Sequence, residues 1–297
     1  MKKCAIITNG YFLGESTLHQ LNSLTRELKA LDITADEVKG NDALAYIDGE
    51  DAKSTFPRYD FAVYLNKDIH TAKMLESTGL RLFNSARAIE LCDDKMLTYI
   101  SLAGKGVNMP YTISSPLMYR LPQKDDFAKI VEEKIGYPVV VKEVYGSMGS
   151  GVHLARNFEE LSSLREKLRL VPHLYQKFIG KGGEDKRIIV IGGKIIAAMK
   201  RVNENDFRSN IAQGGKGFKI DLSEEEAEMA VKVNKALGLD YCGVDILTGT
   251  DGKAYFCEAN SNAFFKGIEE TTGVNVAAAY AKHIESEVYG NRRTGSD

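Results

Sequence analysis

Asp245, Glu258 and Asn260 have the residue types and the spacing to hold a hard divalent cation. They fall in two apolar runs, residues 241–247 and 254–260, on either side of Asp251-Gly252, a strong signal for a tight hairpin turn. Counting back from a two-residue turn pairs Leu247 with Phe256 and Asp245 with Glu258. Residues two apart on a strand share a face, so Asn260 joins the carboxylates. Opposed Cβ atoms lie about 5 Å apart in such a pair, where like charges repel. Either a cation sits between them or one carboxylate takes up a proton. Oxygen ligands of these three types suit Mg²⁺, completed by water and phosphate oxygens. The competing reading is a solvent-facing hairpin of slipped register, and the apolar flanks Val244, Ile246, Leu247 and Phe256 weigh against it.

A second group carries phosphate chemistry. Lys142 ends the run Pro138-Val-Val-Val-Lys142, and Gly146-Ser-Met-Gly-Ser-Gly151 follows before another strand at residues 152–155. Glycines let backbone N–H groups approach phosphate oxygens closely. No Lys-Ser/Thr pair and no helix follows Gly151, so neither a Walker-type loop nor a dinucleotide fingerprint fits. The segment reads as a β-hairpin flap. A lysine after three valines is costly to bury unless it meets an anion; the alternative is an edge lysine that snorkels to water. Further on, Asp185 and Arg187 share a strand face, and the Gly192-Gly193 turn places Lys200 opposite Asp185. A surface ion pair of that kind is worth less than about 1 kcal/mol. Arg208 and Asn210 share a face of the extended Asp206-Phe-Arg-Ser-Asn210, and the planar arginine fork suits phosphate.

The elements that must position these groups come in two textures. The first third alternates short apolar runs (5–8, 61–65) with helical patterns (17–31, 67–77, 86–104), as a small, mostly parallel α/β unit does. After residues 106–110 the pattern turns to hairpins. Ser223 with Glu226 forms a capping box and Gly238 ends that helix; Asn275 caps a last helix to about residue 288. Residues 292–297 read as a disordered tail.

Composition narrows the class. With 43% hydrophobic and 27% charged residues in 297, the chain is an ordinary globular one of two or three packed units. A formal net charge of -2 and no basic run offer nothing to nucleic acid or an anionic membrane. The four cysteines form no CxxC pair and read as small buried hydrophobes of a reducing cytoplasm. No apolar run reaches the roughly 20 residues of a membrane span, and the run after Lys2 and Lys3 is too short for a signal peptide.

In order, Asp94-Lys95, Lys142 with the GSMGSGV flap, Tyr175-Gln-Lys-Phe-Ile179, Gly183 to Arg187, DFRSN, Gly-Val-Asp245 and Glu258-Ala-Asn260 resemble the ATP-grasp superfamily, and within it the RimK-like glutamate ligases. The resemblance spans about Asn84 to His283. It implies a fold of mixed α/β (α+β) type: a pre-ATP-grasp domain over 1–93, an ATP-grasp domain over 94–290 (flap-bearing 94–172, metal-bearing 173–290), and a disordered tail from 291. It implies that Lys95 and Lys142 contact ATP phosphates under a flap that includes Ser147, Gly149 and Gly151. Lys177 and Phe178 would offer backbone groups to adenine, and Asp185 would lie near the ribose. Arg208, Ser209 and Asn210 would lie at the nucleotide and the reacting centre, with Arg208 and Arg187 as the catalytic residues. Asp245, Glu258 and Asn260 would hold two Mg²⁺ ions, with Mn²⁺ as a substitute. Lys266 is a candidate for a substrate carboxylate.

Two positions depart from the family pattern: Lys177 replaces the usual glutamate, and Ser261-Asn-Ala-Phe-Phe-Lys266 replaces Ser-Ser-Pro-Gly-Leu. The second is closer to the amino-group-modifying ligases of lysine and arginine biosynthesis. The implied activity is ATP-dependent carboxylate–amine ligation through an acyl phosphate, adding an amino acid such as glutamate. The substrates would be small molecules or peptides, and the enzyme a cytoplasmic dimer or tetramer. A phosphotransferase and a non-catalytic ATP-binding module are the readings from other classes.

Overall fold

The computed structural model describes residues 2–42, 44–55, 58–120, 125–147, 149–209 and 214–290. The chain opens β1 (Lys2–Thr8), α1 (Glu15–Lys29), β2 (Ile33–Lys39), a separate hairpin of β3 (Ala45–Asp48) and β4 (Asp51–Ser54), β5 (Phe61–Tyr64), α2 (Ile69–Ser77), β6 (Leu82–Phe83) and α3 (Ala86–Asp93). β1 is buried on both faces, which is why its apolar run does not alternate with polar residues. Cys4 and Ile6 pack with Leu21, Leu24 and Leu28 of α1, whereas Ala5 and Ile7 pack with Leu75 of α2 and Ile89 of α3. The sheet β2-β1-β5-β6 is wholly parallel, as the α/β alternation predicts.

Next come α4 (Lys95–Leu102), β7 (Thr112–Ser114), α5 (Phe127–Ile135), β8 (Val139–Glu143), β9 (Val152–Ala155), α6 (Phe158–Lys167) and β10 (His173–Lys177). They build an antiparallel sheet β7-β10-β8-β9. Val139 and Val141 pack with Val131 of α5 and Leu161 of α6, which leaves Val140 and Lys142 on the other face. The sequence pattern predicts one helix over 86–104; the structure breaks it at Asp94, which takes extended backbone angles. The Asp94 side chain accepts the Leu97 N–H at 2.8 Å, starting α4 afresh with Lys95 as its first residue.

The last part comprises β11 (Glu184–Ile191), β12 (Lys194–Val202), β13 (Lys216–Lys219), α7 (Glu224–Leu237), β14 (Tyr241–Thr248), β15 (Ala254–Asn260), α8 (Lys266–Thr272) and α9 (Val276–Tyr289), with a sheet β13-β12-β11-β14-β15. The predicted caps are present: Ser223 and Glu226 form a reciprocal box, Gly238 is left-handed at φ 67, and Asn275 accepts the Ala278 N–H at 2.8 Å. Odd-numbered residues of β11 and β14 share one face. At one end of it Ile189, Ile191 and Tyr241 pack with Tyr280 and Ile284 of α9. At the other end lie Asp185, Arg187 and Asp245. The same core cluster includes Ile6, Leu24 and Phe61, so packing runs continuously from the parallel sheet to the last helices.

Two registers differ from the sequence expectation, the first because of a bulge and the second because of the turn length. In β11–β12 the register shifts between Ile189 and Val190, so Asp185 faces Arg201, and Lys200 lies opposite Lys186 instead. In β14–β15 the turn is a five-residue loop between Thr248 and Ala254, so Leu247 meets Tyr255 and not Phe256. Cys257 is then the extra residue of a bulge, which restores Asp245 opposite Glu258 and Gly243 opposite Asn260.

Candidate active site

Lys142, Val140 and Gln176 on one sheet, and Asp185, Asp245, Leu247, Cys257 and Glu258 on the other, line a common cleft. Phe178, Phe207, Arg208 and Ser209 also line it. Gly149 and Val152 of the glycine-rich hairpin line it as well. Gly149 has φ 77 and Gly151 φ 70, a region disfavoured for any side chain, and a Cβ on Gly151 would come within 3.0 Å of the Glu143 side chain. Glycine spacing in the flap thus has a backbone cause.

The centre of the cleft is an alternating chain of charges. Asp245, 3% exposed, accepts Arg187 Nε at 2.5 Å and Arg187 Nη2 at 2.6 Å, in a two-pronged pair, and Arg201 Nη2 at 2.8 Å. Arg201 also donates Nε to Asp185 at 2.7 Å and is itself 3% exposed. Ser209 hydrogen-bonds Asp185. Burial alone would raise the Asp245 carboxyl, but the two guanidinium groups override it and hold the pKa down to about 2.

Above this chain, the Lys142 ammonium is 8% exposed, and its one hydrogen-bond partner among the described residues is the Cys257 thiol at 3.8 Å. Burial opposes its charge, yet its pKa is raised, with Cys257, Tyr99 and Glu258 favouring the ammonium. Burial pushes the Cys257 thiol up to about 11 and the Tyr99 hydroxyl to about 12. Both are therefore neutral at pH 7. Lys95 donates to Gly146 O at 3.0 Å and lies 3.7 Å from Glu258 Oε1. Glu258 is otherwise open, with a third of its side chain exposed.

These residues fit a hard cation unequally. Glu258 has free lone pairs facing the cleft. Asn260 Oδ1 accepts the Asn262 N–H at 3.0 Å and keeps a second lone pair. Asp245 already uses three of about four lone-pair sites on arginine, and only Oδ1 has one to spare. The acidic pair calls for a cation or for a proton on one carboxylate; Arg187, Arg201 and Lys95 supply part of the positive charge.

Other expected residues fall less simply. Arg208 gives Nε and Nη2 to Asp206 at 2.9 and 2.7 Å and Nη1 to Gly149 O at 2.9 Å, so it latches the flap. The Lys177 N–H donates to Tyr111 O at 2.9 Å and is spoken for, although Lys177 and Phe178 both line the cleft. Asp185 spends its carboxylate on Arg201 and Ser209. Lys266 pairs with Glu15 at the exposed start of α8, so the structure gives this lysine a partner away from the cleft lining. Ser147 lies half-buried in the flap. Asn210 and the tail 291–297 lie outside the described residues. Sequence reasoning missed Arg201, Asp206 and Cys257. The adjacent Lys200-Arg201 pair was the one available signal for the first.

Comparisons with known proteins give the family and the fold. A family model described as the RimK-like ATP-grasp domain matches residues 92–284. N-acetylaspartylglutamate synthase A of Homo sapiens is 37% identical over 239 residues, covering 79% of this chain and 59% of that protein. A "Probable alpha-L-glutamate ligase" of Halorhodospira halophila is 38% identical over 227 residues, 75% of this chain and 72% of that one. The chain thus spans well under two thirds of the human relative. Among solved structures, D-alanine–D-alanine ligase of Bacillus anthracis complexed with ATP superposes with TM-score 0.71 at 19% identity, covering 100% of both chains. At that identity the likeness is one of fold.

Proposed function

The chain belongs to the RimK-like ATP-grasp family, and from that membership we propose that it is an ATP-dependent carboxylate–amine ligase. Lys142 carries the reading: a nine-tenths buried ammonium with a thiol for its neighbour, facing an open glutamate, calls for a phosphate ligand. Lys142 and Lys95 hold the phosphates, and the flap over residues 146–151, latched by Arg208, excludes water from them. Glu258 and Asn260, with Asp245 Oδ1, would hold Mg²⁺, which when bound would supply charge neutralisation to phosphoryl transfer.

Two steps follow. A carboxylate oxygen of the first substrate attacks the γ-phosphorus, the bond to the β,γ-bridging oxygen breaks, and ADP leaves an acyl phosphate behind. The amine of the second substrate then attacks the acyl carbon; inorganic phosphate departs with its bonding pair, and the amine loses a proton to solvent. Catalysis here rests on position and charge. Relatives named for glutamate support glutamate as the amino acid joined. Four free thiols support a reducing, cytoplasmic setting; among the described residues no helix is long and apolar enough to cross a membrane.

Hydroxylamine tests the proposal. It should intercept the acyl phosphate as a hydroxamate that requires ATP, Mg²⁺ and the carboxylate together, with a yield that falls as the true amine is added. A stable phosphate ester without hydroxamate, during active ADP release, would identify a phosphotransferase and end the ligase reading.

A further inference from the structure

Asn84 stands just past β6, at the carboxyl end of the parallel sheet, and is 2% exposed. Its side-chain amide is spent on backbone far away in the chain. Nδ2 donates to Tyr241 O at 2.8 Å and to Ser261 O at 2.9 Å, while Oδ1 accepts the Tyr241 N–H at 3.0 Å. Tyr241 opens β14, and Ser261 follows Asn260, the last residue of β15. The last pair of that ladder is Gly243 with Asn260. Beyond it the Asn84 amide exchanges two bonds with Tyr241, as an opposing strand residue does. It thereby closes the end of the hairpin that carries Asp245, Glu258 and Asn260. The turn after Asn260 has further ties to the same sheet edge. Asn262 Nδ2 donates to Leu65 O, just past β5, at 3.0 Å, and Ser261 Oγ donates to Asp93 at 3.3 Å. The Asn262 N–H in turn holds Asn260 Oδ1 at 3.0 Å. A carboxamide aimed by the residue two positions on is only as well placed as that residue.

We propose that Asn84 is a positioning residue for the cation site. From the edge of the parallel sheet it fixes the turn 260–262, and with it the Asn260 carboxamide. Asn84 itself does not line the cleft. The inference rests on the reading of Glu258 and Asn260 as Mg²⁺ ligands of an ATP-dependent ligase, and adds to that site a residue from outside it.

The probe is Mn²⁺, followed by the electron paramagnetic resonance of the free ion, with the full chain and the β,γ-imido analogue of ATP. Values are corrected for Mn²⁺ bound to analogue in solution. Asn84→Asp keeps the shape and the acceptor for the Tyr241 N–H but puts an oxygen in place of the two-donor nitrogen. Mn²⁺ binding to the analogue complex should weaken about tenfold. Metal-free affinity for the analogue should stay within about twofold, because Lys95 and Lys142 are untouched. Leu75→Ala, a buried change in α2 away from the turn, should lower Tm and leave Mn²⁺ affinity at the wild-type value. Asn262→Ala removes only the tie to Leu65 O and should weaken Mn²⁺ about threefold. A folded Asn84→Asp protein with wild-type Mn²⁺ affinity overturns the inference. So does an equal loss of analogue and Mn²⁺ affinity, or a matching Mn²⁺ loss in Leu75→Ala, since either would make the amide a general brace of the fold. If Asn84→Asp does not fold, unchanged Mn²⁺ affinity in Asn262→Ala overturns it. A wild-type protein that binds no analogue, with or without Mn²⁺, overturns the ATP reading itself, and this inference with it.

Discussion

Asp245 faces Glu258 across β14 and β15 only because Cys257 bulges out between them. The five-residue turn on its own would set Asp245 opposite Cys257, and the bulge moves the register by one. The same bulge brings the Cys257 thiol to within 3.8 Å of Lys142. One irregular residue thus sets the acidic pair and brings its thiol beside the buried lysine.

Glu258 and Asp245 should respond differently to neutralisation. Glu258→Gln should lower ADP release by about a hundredfold or more, with thermal unfolding little changed. The half-open carboxylate has only a long 3.7 Å contact with Lys95 to lose, and Lys95 keeps its bond to Gly146 O. Asp245→Asn should also abolish turnover, but it strands two buried guanidinium groups and should cost roughly 3–5 kcal/mol of stability. Denaturation curves alongside ADP assays separate the two; equal stabilities would show that the arginine cage does not hold Asp245 in solution.

Acid should weaken that cage over a defined window. The Asp245 carboxyl lies at about 2 when folded against an ordinary 3.8. A depressed folded pKa contributes stability above the unfolded value, lost as pH falls through the folded one. The contribution, on the order of 2 kcal/mol, should disappear between about pH 4 and pH 2. The gap in Tm between wild type and Asp245→Asn should therefore narrow across that interval, and a gap independent of pH would contradict the pairing.

Nucleotide affinity should separate Lys142 from Lys177. Lys142→Ala removes a buried cation and should weaken binding of the ATP analogue by about tenfold or more. Lys177→Ala should change it less than about twofold, since that side chain is exposed. Isothermal titration of both variants giving the reverse order would refute the placement of the phosphates.

Arg208 should act on the flap. Arg208→Ala removes the bond to Gly149 O, and the KM for ATP should rise about tenfold, with enhanced proteolysis at residues 146–151. A fall in kcat alone, with the flap still protected, would mark Arg208 as acting on the reacting centre and not as a latch.

Lys266→Ala should leave KM for ATP and for either substrate within about twofold, because Lys266 is held by Glu15 at an exposed helix start. A selective rise in KM for an acidic substrate would restore this lysine to the substrate site.

What the sequence by itself determined was local and periodic. The parallel β1 and β5 strands, the hairpins around Lys142 and Asp245, the Ser223–Glu226 box and the Asn275 cap all follow from hydrogen-bonding patterns a few residues long. Flap glycines announced themselves for the same reason, since positive φ is a single-residue requirement. The order of these pieces also carried the family resemblance. Tertiary structure decided the rest. Neither bulge has a signature in residue type, because an extra residue is accommodated wherever packing on both faces demands it. Asp94 breaks a helix that its neighbours would continue, in a setting where the Lys95 N–H reaches Val144 O at 3.2 Å. Whether Asp185 meets Lys200 or Arg201, and whether Asp245 is bare or gripped by two arginines, depends on a one-residue shift between strands. Charge pairs form across space between residues far apart in sequence, and a shift of one residue carries every side chain of a strand to its other face.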